Sequence, residues 1–175
     1  MKLAQCIILD LLKDYDPVPI LPETCDFHFS GVQLLDQDNP TDDPSILYIG
    51  TTTQISSFDT EKLKDFCIIC IGKKEDVSSY IENYQANLIL IPENHSLASV
   101  VNTLYTGFHR ILRWDAELQN AILSKQNYQS LFSIGGRFFG KNAMLMVNSS
   151  YNVIGTNLLE APGHEKLDFI LKNGY

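Results

Sequence analysis

A chain of 175 residues, 45% of them hydrophobic, is long enough for one real core and a second small one, and too apolar for a disordered tail. Its formal charge of -8, with thirteen basic residues scattered along it, excludes a nucleic-acid surface on this chain, because phosphate backbones need a clustered Lys/Arg face. No window approaches 18 uncharged apolar residues, and Asp10 interrupts the first apolar run too soon for a secretory signal, so the expected setting is the cytoplasm, without membrane contact.

Residues 2–14 carry Leu3, Ile7, Ile8, Leu11 and Leu12 at helical spacing and predict a short amphipathic helix. Pro17, Pro19 and Pro22 then force an extended crossing. Cys25 to Leu35 alternates imperfectly and predicts a strand near its middle, followed by the polar loop QDNPTDDP. From Ser45 the rhythm becomes regular: ILYIG as a strand, a Thr-rich loop, a helix capped by Asp59, FCIICIG as a strand, a helix from about Asp76 to Tyr84, and NLILIP as a strand. Short apolar runs alternating with helical segments imply right-handed crossovers and a small, mostly parallel sheet, hence an α/β class.

Beyond Pro92, with Asn94 or Ser96 as cap, apolar residues recur at Leu97, Val101, Leu104, Phe108, Ile111, Leu118 and Ile122. Steps of four and three make a heptad seam. Some thirty residues at about 1.5 Å each would span roughly 45 Å, so the segment from Ser96 to about Lys125 reads as a connector and pairing surface, with a homodimer expected. Asp115 occupies a seam position, where a charge fixes register or partner number at a cost in stability. Asn127 to Phe139 resumes a helical pattern, AMLMVNSSYNVIGTN predicts two strands about a turn at Asn148, Ser149 and Ser150, and HEKLDFILKNGY predicts a last helix. A lone hairpin with two helices is marginal as a core.

Few motifs carry chemistry. Cys67 and Cys70 form a C-x-x-C, but on a buried strand residues three apart point to opposite faces and cannot share a metal or a bond. GGRFFGKN, residues 135–142, nearly spells a phosphate-cradling loop; that chemistry needs a strand before it, a helix after it, and a hydroxyl where Asn142 stands. The better candidates for a ligand are the loops that leave the carboxyl ends of the strands. There Gly50, Thr51, Thr52 and Thr53 offer amides and hydroxyls to an anion or polar molecule, with Asn94 and His95 on the same edge. The four histidines, His28, His95, His109 and His164, lack metal-ligand spacing, and no cofactor or metal is expected. No catalytic triad or carboxylate pair stands in its required context, so an enzyme is not expected.

The segments SILYIGTTTQI, NLILIPENHSLASVVNTLYTGFHRILRWDAELQNAI and LFSIGGRFFGKNAMLMVNSSYNVIGTNLL together resemble the N-terminal region of bacterial PucR-like transcriptional regulators, relatives of the sugar-diacid regulators. The resemblance implies an α/β regulatory domain over residues 1–94, a connecting and dimerisation helix over 95–126 with a W-x-x-x-L pattern at Trp114 to Leu118, and a partial PAS/GAF-like sensor module over 127–175. It further implies a small-molecule effector and a DNA-binding domain beyond this chain. Asn148 stands where such sensors often carry Asp. The alternative reading is a small α/β nucleotide-binding protein or enzyme using Gly135 to Lys141, and a third is a structural dimerisation scaffold.

Overall fold

The computed structural model describes residues 2–20, 27–36, 43–56, 66–78, 81, 87–139, 145–150, 153–158, 165–166 and 168–169. Two compact units divide the chain, Met1–His109 and Arg110–Tyr175, and the boundary falls inside the longest helix.

In the first unit, a short strand β1 (Leu3–Ala4) runs into helix α1 (Gln5–Leu11) and a turn of 3-10 helix. There follow strands β2 (Val18–Ile20), β3 (His28–Phe29), β4 (Gly31–Leu34) and β5 (Ile46–Thr51), the one-turn helix α2 (Thr52–Ser56), and strands β6 (Cys67–Ile71) and β7 (Asn87–Ile91). The expected mostly parallel sheet is present: five strands in the order β2-β7-β6-β5-β4, with β4, β5, β6 and β7 parallel to one another. The proline-rich crossing is itself a strand. Val18–Ile20 pairs antiparallel with β7, and Pro19 is tolerated there because an edge strand needs ladder donors on one side only. The helix expected from Asp59 lies outside the described residues, and of the one expected from Asp76 only a 3-10 turn at Lys74–Val77 and residues 78 and 81 are described.

Parallel strands covered on both faces must be apolar throughout, and CIICI and NLILI are buried at every position. One face gathers Tyr48, Ile68, Cys70, Leu88 and Leu90 with Ile55 of α2 and Val77. Leu47, Ile49, Cys67, Ile69, Ile89 and Ile91 point the other way and are equally buried. The described helices left to cover that face are α1 and the first turns of helix α3 (Leu97–Leu123), with Ile8, Val100, Leu104 and Phe108 fully or nearly buried. A Cβ on Gly107 would lie 2.6 Å from Leu11 Cδ1, so the two helices meet where α3 has no side chain. The Tyr15 hydroxyl adds hydrogen bonds to Ser99 Oγ at 2.8 Å and Thr103 Oγ1 at 2.7 Å.

Ser96 caps α3, its hydroxyl accepting from the Ser99 amide at 3.1 Å. The helix is unbroken through Gly107, but its buried face is not one seam. Successive residues turn by about 100°, which keeps Ile122 in line with Val100, Leu104 and Ile111. Yet Ile122 is 62% exposed whereas Ala121, on the neighbouring flank, is 1% exposed. Past Arg110 the inward side shifts to Trp114, Leu118 and Ala121. Of the expected pairing residues, Leu104, Phe108 and Ile111 are buried within the single chain, Leu97, Val101 and Leu118 are half-buried, and Ile122 alone is open. Asp115 is half-buried and accepts a hydrogen bond from Gln119 Nε2 at 2.8 Å.

In the second unit the latter part of α3 leads to helix α4 (Tyr128–Phe139), capped by Asn127 Oδ1 on the Ser130 amide at 2.9 Å. The two expected strands, β8 (Leu145–Val147) and β9 (Val153–Thr156), form an antiparallel pair. Asn148 Oδ1 accepts from the Ser150 amide at 2.9 Å, closing the start of the turn. Helix α4 lies close against β9: Cβ atoms on Gly136 and Gly155 would come 2.6 Å from Asn157 Cβ and 2.4 Å from Phe132 Cδ2. Gln129 fastens the contact, donating to the Thr156 carbonyl at 2.7 Å and accepting from the Thr156 amide at 3.3 Å. Of the last helix, residues 165–166 and 168–169 are described as helical. No helix among the described residues is long and apolar enough to cross a membrane.

Candidate functional site

The strand-edge loops are occupied by the chain itself. Gln54 Oε1 accepts from the Thr51 amide at 2.9 Å and the Thr51 hydroxyl at 3.3 Å, while Gln54 Nε2 reaches the Leu35 carbonyl at 3.4 Å. Thr52 is buried, donates to Asp76 Oδ2 at 3.3 Å, and fills the space over Gly72, where a Cβ would lie 2.5 Å from its Oγ1. Thr53 faces outward. Asn94 is exposed, and His95 packs edge-on against Tyr15 with ring centroids 5.0 Å apart. Gly50, Thr51, Thr52, Thr53, Asn94 and His95 therefore do not converge on a cradle. Topology gives the reason: a ligand crevice opens where strand order reverses, and β4, β5, β6 and β7 run consecutively, so this sheet has no such switch point.

The near phosphate loop has the helix before it that its sequence pattern predicts. Gly135 to Phe139 are helical and preceded by helix, whereas phosphate cradling needs a strand on that side. Gly136 serves the close approach to Asn157 instead, and Lys141 lies outside the described residues. Among those residues, no group of three or more His, Cys, Asp or Glu could hold a metal ion. Cys67 and Cys70 are buried on opposite faces of β6, and burial, with Asp76 nearby, pushes the Cys70 thiol up to about 12.

The strongest constellation is hard to read from residue order and lies wholly in the second unit. Arg110, Arg113, Trp114 and Glu117 share one face of α3 at helical spacing, and Ile134, Arg137 and Phe138 do so on α4. Together they line an open cleft of about 200 Å³. Trp114 and Phe138 stack, centroids 4.3 Å apart and planes 20° from parallel, and the Arg110 guanidinium carbon lies 5.6 Å from the Phe138 centroid. Glu117 holds both other arginines: Arg113 Nε reaches Oε1 at 3.1 Å and Arg137 Nη2 reaches Oε2 at 2.9 Å.

Among known proteins, no family model, no curated protein and no solved structure matches the chain.

The geometry of this cleft therefore stands on its own chemistry. The chain contains three arginines, and all three line it. Three guanidiniums against one carboxylate leave a local charge of about +2 in a protein of net charge -8. His109, Arg110 and Arg113 read singly as a solvated helix face. The signal that identifies the site is their spacing with Trp114 and Glu117, matched by Ile134, Arg137 and Phe138 on the next helix.

Proposed function

We propose that the chain is a non-catalytic regulatory module of a bacterial transcriptional regulator, in which an α/β domain and a smaller, sensor-like unit of PAS/GAF character are coupled through α3, DNA being contacted by a part of the protein outside this chain. The observation that carries this reading is that one unbroken helix contributes to both compact units, with a buried face that changes flank between them. Such an element transmits a change only if its two arrangements differ in affinity for an effector, so the cleft of Arg110, Arg113 and Arg137 is the place where an effector would act. The pattern quoted from SILYIGTTTQI through NVIGTNLL supports the assignment to PucR-like regulators.

Transcript profiling after removal of the gene from its host tests the reading. A defined set of transcripts should change and be restored by the natural gene, but not by one with a single alanine inserted between His109 and Arg110, which turns the second unit about 100° on the helix. Unchanged transcripts, or full restoration by the insertion, would refute it.

A further inference from the structure

We infer that the arginine cleft of the second unit is a binding site for a phosphoryl dianion, as a phosphate monoester or the free ion. The inference deepens the regulatory reading by naming the chemistry of its effector, and rests on that reading only for the word effector.

Three observations converge. An acidic chain repels anions at long range, so an anion site in it requires cations gathered locally, and the three arginines are gathered at one place. Guanidinium rather than ammonium is the group that meets tetrahedral oxyanions with paired donors. The positive charge also has a single focus. Arg113 and Arg137 grip the two oxygens of the same carboxylate, so their guanidiniums lie side by side, and Arg110 joins them one turn earlier on α3. A two-ended diacid needs cations at separated poles, whereas a phosphoryl group concentrates two negative charges on one centre.

Arg110 is the group available for the new anion, since among the described residues it is paired with no carboxylate and rests near Phe138. Arg113 and Arg137 keep unused N–H donors beyond their bonds to Glu117. Trp114, Phe138 and Ile134 give the remaining wall, suited to a small apolar body carried by the phosphate. Salt bridges with Glu117 alone would explain little, because Arg113 and Arg137 side chains are 83% and 67% exposed and pairs so exposed contribute little to stability.

Trp114 is the sole tryptophan, so its emission reports on the cleft directly. The purified chain would be titrated at constant ionic strength, balanced with sodium chloride, with phenyl phosphate, inorganic phosphate and succinate. Phenyl phosphate should give a saturable change with half-saturation at or below about 1 mM. Comparison with inorganic phosphate tells monoester from free ion: a several-fold preference for phenyl phosphate assigns the apolar wall to the ligand, and equal half-saturation assigns the site to the ion. Arg110→Met should raise the half-saturation about tenfold, and Arg110→Lys should recover part of it. Far-UV melting of both variants should match the natural chain, because Arg110 carries no ion pair among the described residues. Absence of saturation above the chloride control, saturation by succinate at the same concentration, or an Arg110→Met variant that titrates like the natural chain would each overturn the assignment. None of these outcomes touches the transcript test, so the regulatory reading can stand or fall separately.

Discussion

Gly72 shows how much one absent Cβ can decide. It follows β6 with φ of +152°, its amide bonded to the Ile91 carbonyl at 3.0 Å, and a Cβ there would lie 2.3 Å from Thr52 Cγ2. Thr52 is β-branched and fixed at the start of α2, so it cannot swing aside; Gly72→Ala should destabilise the first unit by about 2–3 kcal/mol, measured by urea unfolding monitored by circular dichroism. The cysteines yield a pH prediction. Burial holds the Cys70 proton up to about 12 against an ordinary value of 9.0, so the unfolded chain binds fewer protons than the folded one in that interval. This contribution to stability is fully present below pH 9 and declines as pH rises toward 12, the direction a pH series of urea midpoints for the natural chain and Cys70→Ala would reveal. At pH 8 a thiol reagent followed by peptide mapping should modify exposed Cys6 and leave Cys67 and Cys70 untouched until unfolding. That the two cysteines of β6 face apart was legible from strand periodicity alone. Arg137 was not legible as a site residue, because it sits in a glycine-rich string whose nearest motif belongs to different chemistry.

At the scale of elements, α3 separates what periodicity can reveal from what it cannot. Its length, its cap at Ser96 and its passage through Gly107 all follow from the pattern, since helix propensity and a long apolar stripe act locally. Which flank is buried at each turn depends on what packs there, and a heptad template assumes one partner throughout. Ala121 and Ile122 make the difference measurable. Ala121→Asp places a charge at a site 1% exposed and should lower stability by about 2 kcal/mol or more, whereas Ile122→Asp at 62% exposure should change it by less than about 0.5 kcal/mol. Thermal melts at two protein concentrations would check both; a concentration-dependent loss in Ile122→Asp would restore the pairing seam. The strands were legible for a different reason. CIICI and NLILI have no polar face to present to water, which leaves a doubly covered parallel sheet as their natural setting. Val18–Ile20 escaped notice as a strand because proline masks an edge position that asks for few donors.

For the molecule as a whole, α/β class and the parallel sheet could be inferred from alternation, but the site could not be inferred from class. The rule that ligands gather at carboxyl strand ends holds for sheets that reverse their winding, and consecutive order in β4 to β7 removes its premise. What replaced it is a cleft whose parts come from two helices joined in the second unit and whose logic is electrostatic. The same strand order also has a temporal consequence. β4 through β7 join neighbours across connections of fewer than about twenty residues, while β2 must wait for β7, more than about sixty residues later, a closure costing about 1 kcal/mol more in chain entropy. Leu11 likewise waits for Gly107. During vectorial synthesis α1 and β2 are made well before the elements they dock on, so β2 stays without its sheet neighbour and α1 without α3 until those have emerged and the first unit closes behind them.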